Sequence, residues 1–180
     1  MIEAVVESVR VSMMSQHRVV VLKEVSGERH LPIWIGAFEA EAIAMGLQGI
    51  PATRPLPYDL LKNVIADLGG RVNRIEVTDL TADIFYARVV IDLNGRQIPI
   101  DSRPSDAIAL GVRVRVPILV AESVMDRAGV ILGAEEDEEE QQAETVEGPA
   151  GAPVNEERLS VFREFINSLD IDDLGKKRED

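Results

Sequence analysis

The side chains with the clearest capacity for chemistry lie in one polar run, Asp101-Ser102-Arg103-Pro104-Ser105-Asp106. The pattern around the run places it where a strand ends and a helix begins. Backbone N–H groups at a helix start are unpaired, and such starts bind phosphate or carboxylate groups. The run therefore predicts an anion site in which Arg103 and the free amides act together.

A purely structural interpretation of the same run stays open. Pro104 suits the first helical position, and Asp106 falls in the first turn, where negative charge is favourable next to the helix dipole. Asp101 can pair with Arg103. The residue types alone do not decide between an anion site and a helix start that neutralises itself.

Two further carboxylates, Glu39 and Glu41, lie on another predicted helix. Side chains two residues apart on a helix point in nearly opposite directions, so the two cannot ligate one ion through that helix alone. Glu41 has the better claim, because Asp106 is its counterpart in an internal repeat. His17 and His30 fit no metal-ligand spacing, and the chain carries no phosphate-binding loop or dinucleotide fingerprint.

The internal repeat predicts the fold. Arg29-His30-Leu31-Pro32-Ile33 matches Arg96-Gln97-Ile98-Pro99-Ile100, and each copy has a Ser-Gly or Asn-Gly hairpin turn before this segment. In each following helix an alanine stands four residues before a glycine, which predicts close backbone packing. We expect an α+β fold of tandem duplicated strand-strand-strand-helix units, with a mixed or antiparallel sheet and packed helices.

Shorter elements complete this plan. Pro57-Tyr58-Asp59 opens a helix between the copies, and its apolar stripe is expected to be buried: Leu60, Leu61, Val64, Ile65 and Leu68. Residues 117–121 predict a short strand and residues 122–128 a final helical turn. The single tryptophan, Trp34, is expected to pack in the core.

Charge divides the chain into unequal parts. Residues 1–132 carry 14 Lys/Arg against 16 Asp/Glu, while residues 133–180 carry 5 against 16. The near-neutral first part is compatible with a polyanionic ligand, and its basic residues are mostly arginine, which suits phosphate as well as surface ion pairs. We therefore assign residues 1–132 to one domain, 133–154 to an acidic Gly/Pro-rich disordered linker, and 155–180 to an amphipathic helix and tail.

Composition also limits the chemistry and the cellular location that can be expected. The chain has no cysteine, which excludes disulfides, thiolate nucleophiles and cysteine-ligated zinc. No stretch resembles a membrane span or a signal peptide, so a cytoplasmic location without a membrane partner is expected. The helix predicted in residues 155–180 has one apolar face, which we expect to dock on the first domain, another subunit or a partner protein.

A family resemblance emerges from several motifs that occur in order. The chain resembles the bifunctional nuclease (DNase/RNase) domain family over roughly residues 1–130, on Leu31-Pro32-Ile33-Trp34-Ile35-Gly36, Glu39, Glu41, Arg54-Pro55, Asp59-Leu60-Leu61 and Asp101-Ser102-Arg103-Pro104-Ser105-Asp106-Ala107-Ile108. The resemblance implies a domain that cleaves DNA and RNA and is often a homo-oligomer, with a dimer as the first expectation. Family members often carry Thr-His-Asp where this chain has Pro57-Tyr58-Asp59, and a tyrosine of ordinary pKa, about 10, cannot replace a histidine base at neutral pH.

These observations give one leading hypothesis and one alternative. The leading hypothesis is a metal-assisted nuclease with Mg or Mn, in which Asp101, Asp106 and Glu41 are catalytic and metal-binding carboxylates. Asp59 is a fourth catalytic candidate, and Arg103 and Arg54 are expected to bind phosphate. The alternative is a non-enzymatic anion-sensing or protein-binding regulatory module whose carboxylates stabilise helix ends.

Overall fold

The structure, a computed structural model, describes residues 1–11 and 17–131. The predicted linker, 133–154, and the predicted terminal helix, 155–180, lie outside the described residues. The boundaries proposed for these segments therefore stay predictions.

The described residues form eight strands and four helices, and the two predicted units have the same order of elements. The first unit comprises β1 (Ile2–Val11), β2 (Arg18–Glu24), β3 (Arg29–Ile35) and α1 (Ala37–Gln48). The second comprises β4 (Gly70–Thr81), β5 (Ile84–Leu93), β6 (Arg96–Ser102) and α3 (Pro104–Val114). The remaining elements are α2 (Pro57–Asp67), β7 (Ile118–Val120), α4 (Glu122–Ala128) and β8 (Val130–Ile131).

Local sequence explains the strands and their turns. The β-branched runs pair as antiparallel hairpins, β1 with β2 and β4 with β5. Asn94 and Gly95 between β5 and β6 both have positive φ, 56° and 79°, which is the backbone that a tight two-residue hairpin requires. These turns fix the register and decide which side chains face the helices.

All strands belong to one mixed sheet in the order β6-β5-β4-β7-β1-β2-β3-β8. β7 joins its two halves, because it pairs antiparallel with β1 and parallel with β4. The hydrophobic core lies between the sheet and its helices and includes Leu22, Ile43, Ile75 and Ile108. The α+β class with a mixed sheet and packed helices is thus confirmed.

The two helix glycines create close packing in different places. A Cβ at Gly46 of α1 would lie 2.7 Å from Cγ2 of Val112 on α3, and a Cβ at Gly111 of α3 would lie 2.7 Å from Cγ1 of Ile75 on β4. Gly46 therefore brings the two helices together, while Gly111 lets α3 lie directly on the sheet. This packing fixes the start of α3 relative to the start of α1.

Two expectations about burial are wrong. The helix predicted after Pro57 forms, but its apolar stripe is largely uncovered: Leu60 is 58% exposed and Leu68 is 75% exposed. α2 contacts the core mainly through Tyr58 and Ile65, because it lies against α3 and β4 with one narrow side. Trp34 is 45% exposed and contacts the ring of His17 edge-on instead of packing in the core.

Glu76 is the most deeply buried acidic residue of the described part of the chain. It points to the sheet face opposite the helices, where Nε of Arg74 donates to its Oε1 at 2.6 Å and Nε of Arg88 donates to its Oε2. Because both carboxylate oxygens are paired, the charge is tolerated at this depth. None of the helices described here has the length and apolar character needed to cross a bilayer.

Candidate functional site

Arg103 occupies the N-cap position of α3 and connects two helix starts. Its Nε donates to Oδ2 of Asp106 at 2.6 Å, and its NH2 donates to Oδ1 of the same carboxylate at 3.0 Å. The same NH2 nitrogen donates to Oε1 of Glu39 at 2.8 Å. The Arg103 side chain is nonetheless 67% exposed, so the guanidinium is oriented by carboxylates and open to solvent.

Glu39 reaches this site because of the residue before its helix. It is the third residue of α1, whose N-cap is Gly36 in an extended conformation. A Cβ at Gly36 would collide with Oε2 of Glu39, so only glycine leaves room for the carboxylate in this position. The loop before α1 thus positions Glu39 next to Arg103.

Tyr58 adds a neutral donor from α2. Its phenol donates a hydrogen bond to Oδ1 of Asp106 at 2.8 Å. Burial raises the pKa of Tyr58 well above its ordinary value, and the hydrogen bond to Asp106 raises it further. The phenol therefore stays protonated at neutral pH and acts as a donor, not as a base.

The electrostatics of the cluster favour charged side chains. Burial by itself raises the pKa of Asp106, but the hydrogen bonds from Arg103 and Tyr58 outweigh burial and hold that pKa below its usual value. The same hydrogen bonds to Asp106 and Glu39 raise the pKa of Arg103, which stays protonated. The cluster thus brings one guanidinium together with two carboxyl groups.

Asp59 lies beside this cluster and holds the start of α2. The backbone N–H of Leu56 donates to its Oδ2 at 3.0 Å, and NH1 of Arg113 donates to its Oδ1 at 2.7 Å. Arg113 is only 9% exposed, and its Nε and NH2 have no partner among the described residues. Asp59 therefore stabilises the turn that carries Tyr58 and has no contact of its own with Arg103.

Asp101 lies on the other face of the sheet. β6 continues through Ser102, and Asp101 stands opposite Arg88, which in turn stands opposite Glu76. Residues directly opposite on neighbouring strands point to the same face. The expected convergence of Asp101 with Asp106 is therefore wrong, because the pleat turns Asp101 away from the helices.

Glu41 and Arg54 also lie outside the cluster. Glu41 lines a surface pocket between α1 and the strands β1 and β2, and it makes no hydrogen bond or ion pair with Arg103. Arg54 is exposed in the loop before α2, without a side-chain polar contact among the described residues. Within residues 1–11 and 17–131, no three His, Asp or Glu side chains come together as a metal-binding group. The trio Asp101, Asp106 and Glu41 is thus not assembled.

Sequence reasoning passed over Glu39 and Tyr58. Glu41 and Asp106 stand at the same distance before the helix glycines, Gly46 and Gly111. Measured from the N-caps, however, Glu39 is the counterpart of Asp106, because each is the third residue after its N-cap, Gly36 or Arg103. A match based on helix starts would have selected Glu39. For Tyr58 the signal was its place at the histidine position of the family's Thr-His-Asp motif, but that motif did not indicate its partner, Asp106, which lies in a distant segment.

Comparison with known proteins places these residues in a family. The family model described as bifunctional nuclease domain matches residues 20–133. An uncharacterized protein of Mycobacterium tuberculosis is 39% identical over 172 residues, covering 96% of this chain and 97% of that protein. Bifunctional nuclease 1 of Oryza sativa subsp. japonica is 31% identical and Bifunctional nuclease 2 of Arabidopsis thaliana 29% identical, each over 108 residues that cover 58% of this chain and 33% of the plant protein. The chain belongs to the bifunctional nuclease domain family.

Proposed function

We propose that this protein is a nuclease that hydrolyses phosphodiester bonds of DNA and RNA at the cluster of Glu39, Tyr58, Arg103 and Asp106. Family membership supports the reaction class. The observation that carries the assignment to this cluster is Arg103, a solvent-exposed guanidinium held in one orientation by two carboxylates at a helix start.

Arg103 has donors left for a phosphate. Nε and NH2 donate to Asp106 and Glu39, whereas NH1 donates to none of the described residues. The first hydrogen bond of α3 runs from the N–H of Ala107 to the carbonyl of Arg103 at 3.0 Å, so the amides of Ser105 and Asp106 precede the helical ladder. A phosphate at this helix start would meet a planar cationic donor and a favourable dipole.

The excess of negative charge in the cluster argues for a divalent cation in the working enzyme. Mg²⁺ is commonly held by one or two carboxylates together with substrate phosphates, and Mn²⁺ accepts the same oxygen donors. Glu39 and Asp106 would be the carboxylates to share such an ion with the substrate, in place of the unassembled trio with Asp101 and Glu41, and the ion would replace part of their pairing with Arg103. When bound, the metal would supply a Lewis acid and an activated water.

The protein groups divide the remaining tasks. Arg103 binds and orients the scissile phosphate, and Tyr58 keeps Asp106 in place through its phenol. Oε2 of Glu39 accepts no hydrogen bond from the described residues, so it is the oxygen available to orient an attacking water. Asp59 is a positioning residue, since it contacts Leu56 and Arg113 at the start of α2. Arg54 would add phosphate contact from its exposed loop.

Paired substitutions test the proposal. The full-length protein, Arg103→Gln and Asp106→Asn are assayed on labelled single-stranded DNA and RNA with Mg²⁺, Mn²⁺ or EDTA. We expect a loss of about 100-fold or more in either variant, as is typical when a preorganised electrostatic partner is removed. EDTA should abolish activity and Mg²⁺ or Mn²⁺ should restore it.

Arg29 provides a matched control. It donates to Glu24, Glu122 and Asp126 in an ion-pair network at β3 and α4, so Arg29→Gln removes a comparable arginine away from the cluster. Its activity should equal that of the wild type. Equal activity of Arg103→Gln and the wild type would show that the cleavage comes from a contaminant or from another site.

A regulatory anion-binding module is the second candidate. The observation that favours it is the closed pairing of Arg103 with Asp106 and Glu39, which can stabilise two helix starts without any reaction. This candidate predicts no cleavage by the wild type with any metal. It also predicts phosphate-dependent binding that Arg103→Gln weakens.

We propose further that the protein is a homodimer in which α2 is covered. The apolar side chains Leu60, Leu61 and Val64 are each at least 43% exposed on one helix, a pattern typical of interfaces. Sedimentation of the wild type should give a dimer, and the double variant Leu60→Asp, Val64→Asp should be monomeric. A monomeric wild type at all concentrations would contradict this assembly.

A further inference from the structure

Phe38 is the most exposed large apolar side chain of the described residues. It lies in the first turn of α1, directly before Glu39, and is 85% exposed. A phenylalanine with so little burial contributes almost nothing to the core, since the hydrophobic free energy follows the area removed from water. Its position next to the Arg103 cluster suggests a ligand that uses an aromatic face.

A pocket lies beside Phe38. Its volume is about 400 Å³, and its lining includes Val9, Val11, Arg18, Phe38, Ala40 and Glu41. This volume is within the range of pockets that hold small organic groups, roughly 300–1,000 Å³. The walls are mainly apolar, and Arg18 and Glu41 add one hydrogen-bond donor group and one acceptor group.

We propose that Phe38 and this pocket form a subsite for one unstacked base of a single-stranded nucleic acid. The proposal rests on the proposed function and extends it from the phosphate to the neighbouring base. A base has flat apolar faces that stack on an aromatic ring and a polar edge that needs donors and acceptors. The pocket offers both, with Phe38 for the face and the polar groups of Arg18 and Glu41 for the edge.

The arrangement along α1 supports this occupant. Glu39 reaches across to Arg103, while Phe38 and Glu41 line the pocket on another side of the same helix start. A strand crossing the first turn of α1 would meet Arg103 with a phosphate and Phe38 with a base. Duplex DNA would not fit this mode, because its bases are already stacked on both faces and must be extruded at a cost.

Binding of two matched strands tests the subsite. A short fluorescein-labelled oligothymidylate and an abasic strand of the same length, both with phosphorothioate linkages that resist cleavage, are titrated with the full-length protein. We expect Phe38→Ala to weaken binding of the base-bearing strand by about tenfold, the size of one base–aromatic stack, and to leave the abasic strand unaffected. Phe38→Tyr should bind both strands like the wild type.

Val25→Ala is the control for loss of an exposed apolar side chain, because Val25 is 55% exposed in the turn between β2 and β3. It should bind both strands normally, and thermal melts should show that Phe38→Ala folds like the wild type. Unchanged binding by Phe38→Ala, or an equal loss for both strands, overturns the base subsite. Either result leaves the pocket to a different occupant, such as a peptide.

Arg103→Gln separates this inference from the proposed function. It should weaken both strands equally, because each carries the same phosphates. If Arg103→Gln binds both strands like the wild type while Phe38→Ala loses only the base-bearing strand, the proposed phosphate site fails and the base subsite stands. If the wild type binds neither strand, both proposals fail.

Discussion

Glu39 and Asp106 are each the third residue of a helix, and their carboxylates share the NH2 nitrogen of Arg103, at 2.8 and 3.0 Å. The cluster therefore depends on the relative placement of α1 and α3, which the close contact at Gly46 fixes. Because each helix start contributes one carboxylate, small changes at either start should alter function more than stability.

Gly36→Ala should separate function from folding. The φ of Gly36 is −74°, which alanine adopts readily, so the free energy of unfolding should stay the same or rise by about 0.5 kcal/mol. The new Cβ displaces the carboxylate of Glu39 from Arg103, and we expect activity to fall about tenfold through lost orientation. Denaturant unfolding and nuclease rates on the same preparations measure the two effects.

Gly111→Ala provides the opposite case. Its Cβ would meet Ile75 in the core, and overpacking of this kind costs about 1–3 kcal/mol. A Gly36→Ala protein as destabilised as Gly111→Ala would contradict the assigned role of Gly36.

Tyr58→His should introduce a new titration. In the wild type, burial and Asp106 raise the pKa of the phenol, so Tyr58 does not ionise between about pH 6 and 9. A histidine at this place should titrate near pH 6.5, at about its ordinary value, because burial disfavours the charged imidazole while the carboxylate of Asp106 favours it. A plot of the nuclease rate of Tyr58→His against pH should therefore show an inflection that the wild type lacks. Tyr58→Phe should keep the wild-type profile, and a wild-type inflection that vanishes in Tyr58→Phe would disprove the donor role.

Asp59 and Arg113 should respond unequally to substitution. Asp59→Ala leaves the buried guanidinium of Arg113 with no described partner and should cost about 3 kcal/mol, as expected for one member of a buried pair. Arg113→Met removes two nitrogens that already lack partners, and Asp59 keeps its bond from Leu56, so about 1 kcal/mol is expected. Urea unfolding measures both, and equal losses would contradict this asymmetry.

Glu76→Gln should change the acid stability. Burial by itself raises the pKa of Glu76, but the hydrogen bonds from Arg88 and Arg74 hold it below the ordinary 4.5. The ionised carboxylate of Glu76 therefore stabilises the folded protein fully at pH values above the pKa of Glu76 in the unfolded chain. This contribution is lost as the pH falls through the lower pKa of Glu76 in the folded protein. We expect Glu76→Gln to be about 3 kcal/mol less stable at neutral pH.

The difference between wild type and Glu76→Gln should begin to shrink below about pH 4.5, where Glu76 of the unfolded chain takes up a proton, and should be lost as pH falls through the lower folded pKa. Thermal melts between neutral and acidic pH measure it. Glu3→Gln, an exposed glutamate of β1, is the control and should show no such trend. A gap that stays constant into acid would mean that Glu76 is not ionised in the folded protein.

Local signals in the sequence predicted the elements well. Three signals depend only on neighbouring residues: the β-branched runs, the Asn-Gly turn and Pro104 at the first helical position. The structure has a hairpin at the Asn-Gly turn and a helix that begins at Pro104. Arg103 and Asp106 were recognised for the same reason, since they stand three residues apart at one helix start. The structural interpretation paired Arg103 with Asp101, whereas the structure pairs Arg103 with Asp106.

Nonlocal relationships explain the misses. The face of Asp101 depends on β6 continuing through Ser102, and the partner of Tyr58 depends on how α2 packs against α3. The stripe of α2 has helical periodicity, but periodicity cannot tell whether a neighbouring element covers a face. Glu39 was missed because the two helices start at different distances from their glycines.

The three residues Ile118–Val120 have a consequence for the synthesis of the protein. They are translated after both three-strand units, yet in the sheet they are the strand between β1 and β4. A nascent chain that stops before Ile118 can build its hairpins from local contacts, but its two half-sheets have no common neighbour. The ribosome must therefore synthesise nearly the whole domain before the sheet can form, because the strand that joins its two halves is among the last to be translated.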